Sequence, residues 1–390
     1  MSAVGLLFTT ALMSGVQAPA QQAPAMAMAS DTARIEVETD HSRREVLVTL
    51  GPFTLEDMSG MDHHAMAMMD DGAGHDTPVY DFTWPVDGWF RGFRIEVVDE
   101  AGNALPREIM HHMIMVNYDR RQLLYSAAER LMGAGSETGD AVLPKTVGVP
   151  MSANMRLGVY VAWHNATGAP IENAYLKIAL LWSPKNLMPQ PVSSLPIYMD
   201  VNLEVGGTNT FDIPAGRSEK SYEFSVPVGG RLLGISGHLH DYGVLVRLED
   251  AETGKVITQV EGDRAPDGSI AGVERKLFGV LGRGLKLHAG KRYRVVGVYD
   301  NPTGETIQLG AMAEIVGLYV PDDFDLWPDL DPNDPTLQRD LASLAEMGRP
   351  KAEMDHMDHM DHAAPGEQAK PAAEEAHKDH EKKPAAEHKH

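Results

Sequence analysis

The chain of 390 residues contains no cysteine. That excludes disulfides as a source of stability and thiolate as a metal ligand, so any metal chemistry must rest on His, Met, Asp and Glu. Basic residues are also few: 34 Lys and Arg stand against 56 Asp and Glu, a formal net charge of -22. The basic residues are scattered rather than clustered, which argues against nucleic acid as a partner, because phosphate binding needs grouped Lys and Arg. An acidic surface suits solubility and the capture of cations. Beyond the first residues no run approaches the roughly 20 apolar residues that a membrane helix needs, so no transmembrane segment is expected in the mature chain.

The N-terminal stretch "MSAVGLLFTTALMSGVQAPAQQAPA" joins an apolar run of about a dozen residues to small residues, with a candidate cut after Ala18. It reads as an export signal with its linker over 1–30, giving a periplasmic or secreted protein. It has no Lys or Arg ahead of the apolar run, and a mis-assigned start or a short lipid-facing anchor are the alternatives.

From about Arg34 to Val320, short runs rich in Val, Ile, Tyr and Leu alternate with Gly, Pro, Asn and Asp, as in "RREVLVTLG", "LGVYVAWHNATG" and "RYRVVGVYDNPTG". This is the signature of antiparallel β structure, most simply sandwiches. One stretch, "RQLLYSAAERLMGAGSE" (121–137), reads as a helix inserted on the β scaffold. The Pro- and Ser-rich "WSPKNLMPQPVSSLPIY" (182–198) reads as an inter-domain connection. The expected organisation is a first β-sandwich over 31–190, a second over 191–322, and an acidic, Pro-rich and then biased tail over 323–390, its last part disordered. Within the tail, "TLQRDLASLAEM" has the makings of a short helix.

Two segments share an unusual vocabulary of thioether, carboxylate and imidazole. They are "MSGMDHHAMAMMDDGAGHD" (58–76), read as an exposed loop of the first domain, and "MDHMDHMDH" (354–362) in the tail. Thioether sulfur favours Cu(I), imidazole serves both copper oxidation states and carboxylate helps the oxidised ion, so the mixture points to copper rather than zinc. Candidate accessory donors are His63, His64, Met354, His356, Met357, His359, Met360 and His362. The plainer reading is a solubilising tail with incidental histidines. Flexible segments collect metal but do not hold the fixed geometry that catalysis requires.

Besides His41, six histidines lie instead in the strand-like region. "IMHHMIMV" carries His111 and His112, and adjacent residues of a flat strand face opposite ways, so both reach one metal only at a strand end, bend or bulge. His164 closes an apolar run in "VYVAWHNATG". In "GISGHLHDYGV", His238 and His240 are two apart and share a strand face, a natural chelating pair. His288 in "LKLHAGKRY" has no partner nearby in sequence. Asp241 and Tyr242 follow the pair directly and are candidates for orienting an imidazole, though ordinary strand residues are the simpler reading.

The order His-His-Met, then His at a strand end, then His-x-His, then an isolated Met in "GAMAEIVGLYV" resembles the copper type II, ascorbate-dependent monooxygenases, the family of peptidylglycine and dopamine hydroxylation. The resemblance spans most of residues 40–320 through a few short motifs. It implies two copper ions: one on His111, His112 and His164, the other on His238, His240 and Met312, the last three being the expected catalytic set. It further implies two jelly-roll-like sandwiches with a solvent-filled cleft between the coppers, and an external reductant such as ascorbate. A substrate C–H bond would become C–OH. The family's substrate-recognition residues are not matched, since Ser236, Glu314 and Val316 occupy the corresponding places, so the small-molecule substrate stays open. A copper-sequestering or copper-delivering protein without catalysis is the alternative.

Overall fold

In the computed structural model, residues 33–60, 76–207, 209–279 and 284–348 are described. The expected export signal, the inserted segment with His63 and His64, and the tail with Met354 to His362 lie outside them.

The described chain is all-β apart from short helical pieces. Its first eleven strands are β1 (Arg34–Asp40), β2 (Glu45–Leu55), β3 (Tyr80–Thr83), β4 (Gly88–Val98), β5 (Met110–Arg121), β6 (Ala128–Gly135), β7 (Ala141–Val142), β8 (Val147–Met151), β9 (Arg156–Trp163), β10 (Ile171–Pro184) and β11 (Val192–Ser193). The next twelve are β12 (Leu195–Asp200), β13 (Phe211–Ile213), β14 (Gly216–Ser225), β15 (Gly230–Leu239), β16 (Gly243–Asp250), β17 (Val256–Arg264), β18 (Ile270–Val273), β19 (Lys276–Leu277), β20 (Leu285–Leu287), β21 (Arg292–Asn301), β22 (Ile307–Ala311) and β23 (Ala313–Pro321). One α-helix, α1 (Pro335–Glu346), follows.

These strands form two antiparallel, jelly-roll-like sandwiches in tandem. In the first, the sheet β1-β2-β10-β4-β8-β11 faces the sheet β3-β9-β5-β6. Phe53 of β2 meets both Tyr80 of β3 and Trp163 of β9 across the gap, at ring-centroid distances of 6.3 and 5.3 Å. In the second, β12-β23-β15-β19 faces β14-β21-β16-β17-β18. Among the described residues, no sheet contains strands from both sides of Ser194. Alternation does the sorting: Val46, Val48 and Leu50 of β2 point inward and are fully buried, whereas Leu47 and Thr49 between them are half-buried. With no disulfide available, this burial and the ladder hydrogen bonds hold both sandwiches.

One local expectation is corrected: the stretch 121–137 is not a helix, because Ala128–Gly135 pairs with β5 as a strand. Within 182–198, β10 continues to Pro184 and β12 begins at Leu195.

The segment after β23 returns to the first sandwich as a strap. The Trp327 indole donates to the Arg121 carbonyl at 3.0 Å. The helix α1 starts on an Asp334 cap with Pro335 in its first turn. It sets Leu344 against Val116, Ala128 and Tyr160. Both sandwiches and the strap belong to one compact unit.

Candidate metal centre

The first histidine pair sits where β5 is irregular. Against β9, Met110 pairs with Trp163 but His112 pairs with Ala162, so His111 is an inserted residue, a β-bulge. The bulge resolves the difficulty of adjacent strand residues facing opposite ways: the two rings come within 5.1 Å, tilted by 50°. Met113 and Met115 face the core and are fully buried, which makes them packing residues. His164 directly follows β9 at the same end of the sheet, its N–H donating to the Ile109 carbonyl at 2.8 Å.

The second pair stands at the end of β15. His238 lies directly across from Glu314 of β23, and the next ladder step places His240 opposite Met312, the His240 N–H donating to the Met312 carbonyl at 3.2 Å. That carbonyl also accepts from the Tyr299 hydroxyl at 2.5 Å, which pins the backbone of Met312. The His238 and His240 rings are 5.1 Å apart and nearly perpendicular. Beneath them Gly237 lets both the neighbouring strand and the facing sheet come close: a Cβ there would stand 2.7 Å from the Glu314 carbonyl of β23 and 3.1 Å from Val246 of β16.

The structure brings the two pairs together. His111 and His240 have ring centroids 6.0 Å apart, so four imidazoles form a row across the seam between the sandwiches, in the order 112, 111, 240, 238. The seam here is closed by direct contact rather than by a wide cleft. All four rings and Met312 are half-buried. His288 is not part of the row: it is exposed and follows β20, whose Leu287 pairs with Gly230 at the far end of β15, about 26 Å along the strand from His238.

Among the described residues, Asp76, Gly310 and Glu137 orient these rings, and local sequence pointed to none of them. The His112 Nε2 meets the Asp76 carboxylate at 3.1 Å. The His240 Nδ1–H donates to the Gly310 carbonyl at 3.2 Å. The His238 Nδ1 meets the Glu137 carboxylate at 2.7 Å, across the seam from the first sandwich. Asp241 instead accepts from the Ile270 N–H and Tyr242 turns the chain in a left-handed conformation, so neither has the orienting role considered for it.

Electrostatics favour neutral imidazole at the heart of the row. Desolvation, reinforced by His238, pushes His240 down to about 3. Burial works to raise Glu137, but the His238 beside it outweighs that and holds the carboxyl at about 2. Behind His238, Asp200, Glu314 and His238 occupy one cross-strand row. Burial raises both carboxyl groups of the Asp200–Glu314 pair; Glu314 adds to the rise of Asp200, and Glu137 to that of Glu314. The Asp200 Oδ2 has no hydrogen-bond partner among the described residues.

A folded-state carboxyl pKa above the unfolded value stabilises the fold below the unfolded pKa, and that contribution is lost as pH rises through the folded one. The metal-free chain should therefore lose stability relative to Asp200→Asn as pH rises from the ordinary carboxylate range toward about 8. Each pKa unit by which folding raises the carboxyl is worth about 1.4 kcal/mol of that loss. Urea titrations of both proteins across that range check it, and a constant difference would contradict it.

The donor set suits copper. Two imidazoles bonded to one ion at about 2.0–2.1 Å and a tetrahedral angle have centroids about 5 Å apart, which matches the spacing within each pair. Neutral nitrogen with a neighbouring thioether is the soft set that Cu(I) prefers. Among the described residues no three His, Asp or Glu side chains converge on one point as they stand. The backbones of His164 and Met312 lie beside the two pairs, His164 bonded to Ile109 and Met312 to His240.

No family model matches the chain and no curated protein does. Among solved structures it is similar to the major capsid protein P2 of bacteriophage PM2 (TM-score 0.30, 11% identity, 65% of this chain and 95% of that one). It is also similar to a chain of the Sulfolobus turreted icosahedral virus (TM-score 0.32, 10% identity, 81% and 98%).

Proposed function

We propose that the chain is an exported copper protein that holds two ions at the seam, one on His111, His112 and His164 and one on His238, His240 and Met312, and uses them as a monooxygenase. The observation that supports this is the convergence of the two imidazole pairs from separate sandwiches on one place, at chelating spacing. Copper bound there supplies one-electron cycling and activation of O2. The overall reaction takes a substrate C–H, O2, two electrons and two protons to C–OH and water, with an ascorbate-class reductant as the electron source. The chain's own part is to present His240 as a neutral imidazole, place Met312 opposite it and orient the rings through Asp76, Glu137 and the Gly310 carbonyl. Ser236, Glu314 and Val316 do not supply the family's recognition set for a peptide substrate, and the substrate is taken to be a different small molecule. The Met-Asp-His segments act as collectors outside the fixed sites.

The test is ascorbate-driven O2 consumption by the copper-loaded chain, compared with free copper at the same concentration. The expected result is consumption above that of free copper, lost in Met312→Ala while the copper on the first set is retained. No excess consumption by a chain that does hold two coppers would overturn the enzymatic reading in favour of copper delivery.

A further inference from the structure

The loop 135–140 that follows β6 is gripped from both sides of the seam. On its own side, the Ser136 N–H donates to the carbonyl of the bulged residue His111 at 3.1 Å, and Arg107 donates to the Thr138 carbonyl at 2.6 Å. From the second sandwich, Arg275 donates to the carbonyls of Gly139 and Asp140, both at 3.0 Å. Between these anchors Glu137 extends to His238 Nδ1, its side chain 7% exposed. The loop therefore touches a member of each histidine pair, one through backbone and one through side chain.

Its local sequence is built for this reach. The Thr138 hydroxyl accepts from the Gly135 N–H at 3.1 Å and the Thr138 N–H donates to the Gly135 carbonyl at 3.1 Å, which folds the loop tightly. Gly135 leaves the room that the carboxylate fills: a Cβ there would lie 1.9 Å from Glu137 Oε2. A surface ion pair would need neither the missing side chain nor the two-sided grip.

We propose that Glu137 is the positioning residue of the second ligand set, supplied by the first sandwich: through the His238 Nδ1 contact it assigns metal binding to Nε2, and through its loop it ties His238 to His111. This rests on the copper reading above. A metal-bound imidazole whose other ring nitrogen donates to a carboxylate is fixed in tautomer and orientation and is a more basic ligand. Loss of such a partner typically costs about 10–100-fold in metal affinity. Because this carboxylate comes from the other sandwich, the second site is complete only while the two are docked.

The experiment measures Cu(I) affinity of the full chain and its variants by competition with a chromophoric chelator, resolving the more weakly held ion. Expected in Glu137→Ala is a loss of about 10–100-fold at the second set, with the first set unchanged. Glu137→Gln, which keeps an acceptor but loses the charge, should fall between. Gly135→Ala should reproduce the defect while leaving the carboxylate in the chain. A long-range proton–nitrogen spectrum of the metal-free chain provides a readout independent of loading: His238 should carry its proton on Nδ1, and Glu137→Ala should shift that signal. Two coppers held in Glu137→Ala at the parent's affinity, or His238 protonated on Nε2 alone, would overturn the proposal. A parent chain that holds no copper at the histidine pairs would overturn the copper reading itself, and the nitrogen spectrum would still decide whether Glu137 sets the tautomer. Should Glu137→Ala fail to fold, Glu137→Gln and Gly135→Ala decide the outcome.

Discussion

Asp340→Ala is expected to lower the stability of the chain by about 3–5 kcal/mol, the cost of leaving a buried charge without its partner. Asp340, on α1, is 2% exposed and accepts from Arg130 Nη2 at 2.6 Å, Arg130 Nη1 at 2.8 Å and the Ala128 N–H at 2.9 Å. Removing the carboxylate deprives a guanidinium and a backbone donor at once, in a strand that also lines the seam. The pair joins residues 210 apart in the chain, so it fixes the strap to the first sandwich rather than a local turn. Asp340→Asn, which keeps two of the acceptor contacts without the charge, should lie between. Urea midpoints of the three proteins check this, and a loss below about 1 kcal/mol for the alanine variant would place the pair among weak surface bridges.

On the proposed ligand sets, His240→Ala is expected to weaken the second copper by more than the roughly 100-fold that loss of an orienting partner costs, because a primary ligand would be removed. His240 is the ring that links the two pairs, 6.0 Å from His111 and 5.1 Å from His238. It is also the imidazole that burial keeps neutral, ready to bind metal without first losing a proton. His288→Ala, an exposed histidine at the other end of β15, should leave both affinities unchanged. Equal effects of the two substitutions would mean that binding is diffuse and the row is not a site.

The histidine pairs were legible because β structure has a short repeat: the spacing of His238 and His240 alone places them on one face of a strand. The His111 bulge was foreseeable only as a condition, since the sequence says that two adjacent ligands need an irregularity but not that one exists. What lay out of reach was whatever tertiary contacts decide. Ala-Glu-Arg-Leu-Met in 128–132 has the propensity of a helix, yet pairing with β5 and the Glu129–Arg120 and Arg130–Asp340 ion pairs make it a strand, packing overriding a weak local preference. Glu137 stands 101 residues from His238, and nothing near either residue announces the other. Asp76 ends a stretch whose composition reads as an accessory loop, although its carboxylate holds His112.

The strap also decides how the central claim is tested. Because residues up to Gly348 pack on the first sandwich, a chain shortened before α1 would lose part of its fold along with its tail. The decisive measurement is copper per chain, under reducing conditions and after washing with a moderate chelator, for the protein ending at Gly348 with His63→Ala, His64→Ala and His75→Ala. Two retained coppers, falling to one in His240→Ala, are predicted by sites at the seam. No retained copper would contradict the account, and would mean that the Met-Asp-His segments hold all the metal on an inert β scaffold.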